Sequence, residues 1–270
     1  MNSDTPRSER VAAVAESLAG QEVLVAFSGG VDSTVLASIA KDAARRAVLL
    51  TITSQVVPDI ELKRARAVAE ELGMEHHVLG YDWLGQEELA RNPIERCYLC
   101  KSRMARMWKD KARELGLSLV VEGTTASDVE GYRPGAKALR EAGVKSPFLE
   151  AGMTKDDIRA YARERGLSVA EVPSMACLAT RFPYGTTITE EMVHRVHKME
   201  TAIMDSFGVE RVRARYDRGS VRIEVGRDEL TKMFDSQKIS ALVHLGNELE
   251  LKRVTLDLEG YRTGSMDEDI

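Results

Sequence analysis

The stretch Val23-Leu24-Val25-Ala26-Phe27-Ser28-Gly29-Gly30-Val31-Asp32-Ser33-Thr34 decides the fold. Its apolar half reads as a buried strand, Ser-Gly-Gly as a tight turn, and the residues from Asp32 onward as the start of a helix. A strand that runs through two glycines into a helix N-terminus makes an anion site. Gly29 and Gly30 allow close backbone approach, N–H groups point into the turn, and the helix dipole adds positive potential. Ser28 and Ser33 add hydroxyl donors, and Asp32 is placed to cap the helix or to hold a cation near phosphates. The stretch is not a Walker loop, because Val31-Asp32-Ser33 carries no lysine, and it lacks the G-x-G-x-x-G of a dinucleotide fingerprint.

Outward from this loop, strand-like and helical runs alternate. Residues 5–19 suit an amphipathic helix with Val11, Val14 and Leu18 on one face. Then follow strand Val23–Phe27, a helix from Asp32, strand Val48–Thr53, a helix from Asp59 and strand His77–Leu79. Cys97-Tyr98-Leu99-Cys100 reads as a loop before a helix carrying Met104, Trp108 and Leu115, and Leu119-Val120-Val121 as another buried strand. Thr154-Lys155-Asp156-Asp157 is a helix start closed by Gly166. The expected fold class is therefore α/β, a Rossmann-like parallel sheet covered on both faces, with ligands beyond the carboxyl ends of the strands.

The pattern changes near Pro173. Pro173, Pro183 and Gly185 punctuate a loop, a helix from Thr189 reaches about Phe207, and strands Val212–Tyr216 and Ser220–Val225 precede a helix near Asp228–Lys238 and a strand over Leu249–Leu258. This order suggests a smaller C-terminal α+β domain. The expected division is 1–172 for nucleotide binding, 173–186 as a linking loop carrying Cys177, and 187–270 for substrate binding and oligomerisation. The last residues, Asp267-Glu268-Asp269-Ile270, are expected to be frayed.

Composition narrows the function. The 270 residues are 43% hydrophobic and 30% charged, which is ordinary for a globular protein. A net charge of −5 argues against broad electrostatic capture of nucleic acid. No apolar run approaches a membrane span, and Met1-Asn2-Ser3-Asp4 has no signal-peptide core, so a cytoplasmic enzyme without a membrane partner is expected. Three cysteines in such a chain point to metal or redox chemistry rather than a disulfide scaffold.

Ser28–Ser33 resembles the SGGxDS loop of the PP-loop ATP pyrophosphatases, which grip the β- and γ-phosphates of ATP and release pyrophosphate, leaving AMP on an activated substrate. For the cysteines three readings stand. They are two unrelated thiols and a buried third, or Cys97 and Cys100 form a redox pair favoured as thiolate at a helix N-terminus, or the pair joins Cys177 in a metal clip. Three thiolates are one short of a closed zinc or iron–sulfur site, and zinc would need a further His or carboxylate. With an AMP-forming loop, a [4Fe-4S] cluster with one open position for sulfide makes chemical sense.

More of the chain, about residues 8–265, resembles the LarE family of sulfur insertases. The carriers are Ala26–Ser33, Arg96-Cys97-Tyr98-Leu99-Cys100-Lys101, Glu122-Gly123-Thr124-Thr125-Ala126-Ser127-Asp128, Gly131-Tyr132-Arg133-Pro134-Gly135, Pro173–Arg181 and Gly260-Tyr261-Arg262-Thr263-Gly264-Ser265. The resemblance implies ATP and Mg2+ as cofactors. It also implies adenylation of a carboxylate of pyridinium-3,5-biscarboxylic acid mononucleotide, and its conversion to a thiocarboxylate during nickel-pincer nucleotide synthesis. One branch of the family sacrifices a single cysteine, matching Cys177; another, with an added C-x₂-C pair, holds a [4Fe-4S] cluster. Cys97, Cys100 and Cys177 favour the second, with a sulfide donor and a homo-oligomeric assembly as partners. A tRNA thiolase of the same superfamily and a non-catalytic adenine-nucleotide sensor with a zinc clip are the alternatives.

The remaining candidates divide between two ends. For the nucleotide they are Ser28, Gly29, Gly30, Asp32, Ser33, Thr53, Gly123 and Thr125, with Glu122, Ser127 and Asp128 serving either ATP and Mg2+ or the cap of the next helix. For a small anionic nucleotide substrate, Arg211, Arg213 and Arg215 at period two put three guanidinium groups on one strand face, the alternative being a solvated charged face. Arg181 joins Arg213 and Arg215 in receiving phosphate and carboxylates. By resemblance, Thr180, Arg213 and Arg215 match the family's anion-binding positions, with Arg211 competing for that register and Glu200 and Asp228 shaping the pocket. His194 and His197 lack a third ligand and read as surface residues, His76 and His77 carry no readable chemistry, and Trp83 and Trp108 read as packing.

Overall fold

A computed structural model describes residues 5–128 and 134–262. Parts of the two glycine motifs, 131–133 and 263–265, lie outside the described residues, as do Met1–Asp4 and the acidic end. In chain order the elements are α1 (Arg7–Leu18), β1 (Glu22–Ala26), α2 (Val31–Ala43), β2 (Arg46–Thr53), α3 (Asp59–Leu72), β3 (His76–Gly80), α4 (Glu87–Ala90), α5 (Arg96–Glu114), β4 (Leu119–Val121), α6 (Pro134–Glu141), α7 (Pro147–Glu150) and α8 (Lys155–Glu164). They continue with α9 (Glu190–Phe207), β5 (Val212–Asp217), β6 (Ser220–Val225), α10 (Ser236–Glu248) and β7 (Arg253–Leu256).

The chain divides into two compact units. One holds residues 1–54, 59–81 and 95–174; the other holds 55–58, 82–94 and 175–270. The first is built on a parallel sheet in the order β3-β2-β1-β4. Alternation along β1 explains why the sheet is covered twice. Val23, Val25 and Phe27 pack with Val35, Leu36 and Ile39 of α2, whereas Leu24 and Ala26 pack with Ala105, Trp108 and Ala112 of α5. An α/β sheet buried on both faces follows from this pattern, as the apolar run in β1 requires.

Strand order reverses beside β1, because β2 lies on one side and β4 on the other. Such a switch point leaves a crevice at the carboxyl ends of the two strands. Val25 pairs with Val121 there, so the loop after β1 and the loop after β4 leave the sheet side by side. α8 carries a capping box, in which the Thr154 hydroxyl accepts from the Asp157 N–H and the Asp157 carboxylate accepts from the Thr154 N–H.

In the second unit β5 and β6 form a hairpin, and β7 returns parallel to β6 after α10. The mixed sheet is packed by α9, whose Val193, Val196, Met199, Ile203 and Phe207 are buried at helical spacing. A C-terminal α+β region is therefore present.

Local readings differ from the sequence expectation in two places. Cys97 and Cys100 do not lie in a loop: α5 begins at Arg96, and the Leu99 N–H donates to the Glu95 carbonyl, closing the first turn around Cys97. Residues 227–233 form a 3₁₀ turn, and the helix expected near Asp228–Lys238 begins at Ser236, capped by Asp235, which accepts from the Gln237 and Lys238 N–H groups. Because that helix runs to Glu248, the last strand shortens to Arg253–Leu256.

Candidate active site

The loop after β1 has the geometry of an anion cradle. Val31, Asp32 and Ser33 form the first turn of α2, where backbone N–H groups lack intrahelical acceptors. Gly30 occupies the N-cap position without a side-chain cap, so Asp32 does not cap this helix. Internal bonds fix the turn: the Ser28 N–H donates to Ser33 Oγ (3.2 Å), Ser33 Oγ donates to the Gly30 carbonyl (3.1 Å), and the Gly30 N–H donates to Ser28 Oγ (3.3 Å). Gly29 has φ +72°, and a Cβ there would lie 2.6 Å from Ala65 Cα on α3. Gly123, arriving from β4, is confined less tightly: a Cβ there would lie 3.2 Å from the Ser33 nitrogen. At Gly29 backbone alone fits.

Asp32 faces the cradle's mouth. Its Oδ2 accepts from Lys155 Nζ at 2.5 Å, and Asp128 Oδ2 lies 3.1 Å from the same ammonium. Asp32 Oδ1 is buried and has no hydrogen-bond partner among the described residues. Burial raises the Asp32 pKa above the ordinary aspartate value, with Lys155 opposing the shift. Burial also pushes Asp128 upward, but hydrogen bonds from the Thr125 N–H (3.0 Å) and hydroxyl (2.8 Å), together with Lys155, outweigh it and hold its carboxyl below that value. The Glu122 carboxylate accepts from Thr124 and Ser146, and Ser127 Oγ accepts from the Lys155 N–H (3.2 Å). Thr53 ends β2 and accepts the Tyr81 N–H with its carbonyl (2.8 Å).

The second unit contains a compact set of charged groups. Arg181 is 0% exposed, and its Nε and Nη2 donate to the two oxygens of Glu200 at 2.6 and 2.9 Å. Its Nη1 reaches Thr180 Oγ1 (2.9 Å) and the carbonyls of Ala176 and Cys177, so every nitrogen of this guanidinium is engaged inside the protein. Glu200 Oε1 also accepts the Ala214 N–H (2.8 Å). Arg215 donates to Glu224 (3.0 Å) and to the Thr180 carbonyl (2.8 Å). Arg213, buried beside it, lies 5.0 Å from the Tyr261 ring; burial, then the Arg181 charge, lowers its pKa. Arg211 falls just outside β5, is exposed, and pairs with Asp228 at 2.5 Å.

Residues 8–100 match the asparagine synthase family. A pyridinium-3,5-bisthiocarboxylic acid mononucleotide synthase from Lactiplantibacillus plantarum is 34% identical over 254 residues, covering 93% of this chain and 90% of that protein. An uncharacterized protein of Synechocystis sp. is 34% identical over 244 residues, covering 90% of this chain and 91% of that protein. A tRNA-specific 2-thiouridylase from Rhizorhabdus wittichii is 27% identical, covering 89% of this chain and 72% of that protein. The chain belongs to the LarE family. Its first unit is the PP-loop domain of that family.

Within this LarE-family chain the sequence candidates gather in three places. Ser28, Gly29, Gly30, Asp32, Ser33, Gly123, Thr125 and Asp128 belong to the PP-loop domain. Cys97 and Cys100 lie on the first turns of α5 in that unit. Cys177, Thr180, Arg181, Glu200, Arg213 and Arg215 belong to the second unit. None of the three cysteines is disulfide-bonded, and Cys97 and Cys177 are exposed. Among the described residues no group of three or more His, Cys, Asp and Glu is arranged to hold a metal ion. No helix among them is long and apolar enough to cross a membrane. His194 is exposed, and Trp83 and Trp108 are core residues. Two residues escaped the sequence reading. Lys155 was legible only as part of a helix start, and Asn92 was not singled out at all.

Proposed function

We propose that this chain converts a carboxylate of pyridinium-3,5-biscarboxylic acid mononucleotide to a thiocarboxylate, using Mg2+-ATP and sulfide. The observation that carries the reading is the anion cradle at the switch point, in a chain that the Lactiplantibacillus plantarum synthase matches over 93% of its length. The reaction balances in two steps. A carboxylate oxygen attacks the α-phosphorus of ATP and pyrophosphate leaves. Hydrosulfide then adds to the acyl carbon, and the bond to AMP breaks, with AMP keeping the carboxylate oxygen.

Each group on the chain has a task in this reading. The α2 N–H groups, Ser28 and Ser33 hold the phosphates that become pyrophosphate, and Gly29, Gly30 and Gly123 leave room for them. The orphaned Asp32 Oδ1 fits a divalent cation: Asp32 would hold Mg2+, which neutralises phosphate charge when bound. Lys155 releases Asp32 and turns to the phosphates. Thr180, Arg213 and Arg215 receive the substrate's phosphate and second carboxylate, while Arg181 and Glu200 fix the backbone around them.

Three thiols outside any disulfide are the donor type an iron–sulfur cluster takes, although no three such donors are grouped to hold a metal among the described residues. Cys97, Cys100 and Cys177 would hold a [4Fe-4S] cluster, whose remaining coordination position supplies the sulfur. The test is anaerobic reaction of the full chain with Mg2+-ATP, the biscarboxylate nucleotide and sodium sulfide, with iron and acid-labile sulfide measured beforehand. Repeated turnover to AMP, pyrophosphate and thiocarboxylate is expected. One turnover with loss of the Cys177 sulfur would replace the cluster by sacrifice of that cysteine. Thiolation of tRNA in place of the nucleotide would assign the chain to tRNA modification.

A further inference from the structure

The loop after Cys177 is clamped at several points by two short segments from earlier in the chain. The Leu178 N–H donates to the Val56 carbonyl (2.9 Å), and the Ile188 N–H donates to the Ala90 carbonyl (2.7 Å). Between these points sits Asn92. It is 0% exposed and has φ +54°, a left-handed conformation that Asn tolerates better than most non-glycine residues. Its Nδ2 donates to the carbonyls of Pro183 (2.8 Å) and Phe182 (3.2 Å), and its own carbonyl accepts the Gly185 N–H (2.8 Å). One side chain therefore fixes two successive carbonyls, and its backbone fixes the turn beyond them.

From Phe182 back to Cys177 the chain has little slack. Leu178–Arg181 is a 3₁₀ turn with Cys177 at its N-cap. The Cys177 carbonyl accepts from the Thr180 N–H (3.0 Å), the Thr180 hydroxyl (2.8 Å) and Arg181 Nη1 (3.3 Å), and Arg181 is locked on Glu200. A displacement at Phe182 is thus carried through a rigid turn rather than absorbed. The residues that Asn92 holds run back into the turn that carries Cys177.

We infer that Asn92 is a positioning residue for the Cys177 thiol, acting through the Phe182–Pro183 carbonyls. The inference rests on the reading of Cys177 as the sulfur-handling thiol of the second unit. Asn92→Gly is the diagnostic variant, since glycine keeps the left-handed backbone and removes only the amide. Two readouts apply to the full chain. Iodoacetamide labelling followed by mass analysis gives the Cys177 rate relative to Cys97, and turnover gives kcat and the KM for ATP. We expect the Cys177-to-Cys97 rate ratio to change by about threefold or more. We expect kcat for thiocarboxylate formation to fall about tenfold or more, with the KM for ATP within about twofold.

A general loss of stability would not move the labelling ratio well below the melting temperature, so that ratio decides. An unchanged ratio overturns the inference, whatever happens to kcat. If the unaltered chain makes no thiocarboxylate, the proposed reaction falls, while the labelling ratio still judges Asn92. Should Asn92→Gly fail to fold, hydrogen exchange on the unaltered chain replaces it. The Gly185 and Ile188 amides should exchange about tenfold or more slowly than unprotected amides. Exchange at unprotected rates would sink the proposal.

Discussion

Gly29→Ala is the sharpest perturbation of the nucleotide loop. Two costs add at this position. An alanine at φ +72° pays about 1–2 kcal/mol for the left-handed conformation. Its Cβ would also sit 2.6 Å from Ala65 Cα and 2.7 Å from Ala65 N, both backbone atoms of α3 that no rotamer change can move aside. Restoring a 3.4 Å contact shifts the loop or the helix by about 0.8 Å, close to the displacement that costs about a hundredfold in a positioned reaction. A hundredfold loss corresponds to about 2.7 kcal/mol of transition-state stabilisation. The assay is pyrophosphate release with Mg2+-ATP and the carboxylate substrate, with urea denaturation alongside. The variant should stay folded, less stable by at least the conformational cost of about 1–2 kcal/mol, and lose about a hundredfold in kcat/KM. Gly30→Ala is the matched control for stability: its Cβ meets only Ser28 Oγ at 3.4 Å, and its stability should change by less than about 1 kcal/mol. Pyrophosphate release from Gly29→Ala within threefold of the parent chain would refute the reasoning.

Three further perturbations test other parts of the account. Lys155→Met removes a charge-assisted hydrogen bond of about 1.5–3 kcal/mol, and the KM for ATP should rise about ten- to a hundredfold in steady-state kinetics. Asp32 binds its proton more tightly folded than unfolded, so it weakens the fold as pH rises above the ordinary aspartate value; relative to the parent, Asp32→Asn should gain stability between about pH 4 and 7 in ligand-free denaturation, and a widening deficit with rising pH would contradict this. Glu200→Ala strands the fully buried Arg181 charge, and denaturant titration should show a loss of about 3–5 kcal/mol, with Glu200→Gln losing less.

The sequence exposed what local chemistry dictates and hid what distant residues supply. β1, its glycine turn and α2 were legible because a continuous apolar run meets two glycines at a helix start. Arg213 and Arg215 were legible as a period-two pair, and both lie in β5, whereas Arg211 precedes the strand and pairs with Asp228. Their burial was not legible, because the carboxylates near them, Glu224 across the hairpin from β5 and Glu200 on α9, come from other elements. Lys155 looked like an ordinary first-turn residue; only the tertiary fold delivers it to Asp32, 123 positions away. Asp228 imitated a helix start and drew the predicted helix forward, whereas the true cap was Asp235, about two turns later. Asn92 gave no signal at all, because the carbonyls at 182 and 183 that its amide reaches lie about ninety positions on.

The most direct test of the central claim follows the oxygen that sulfur replaces. The full chain is given Mg2+-ATP, sulfide and substrate whose carboxylates carry heavy oxygen, and AMP and product are analysed by mass spectrometry. Adenylation followed by sulfur attack at the acyl carbon predicts one heavy oxygen in AMP for each thiocarboxylate formed. Thiocarboxylate appearing with unlabelled AMP, or without AMP at all, would contradict it.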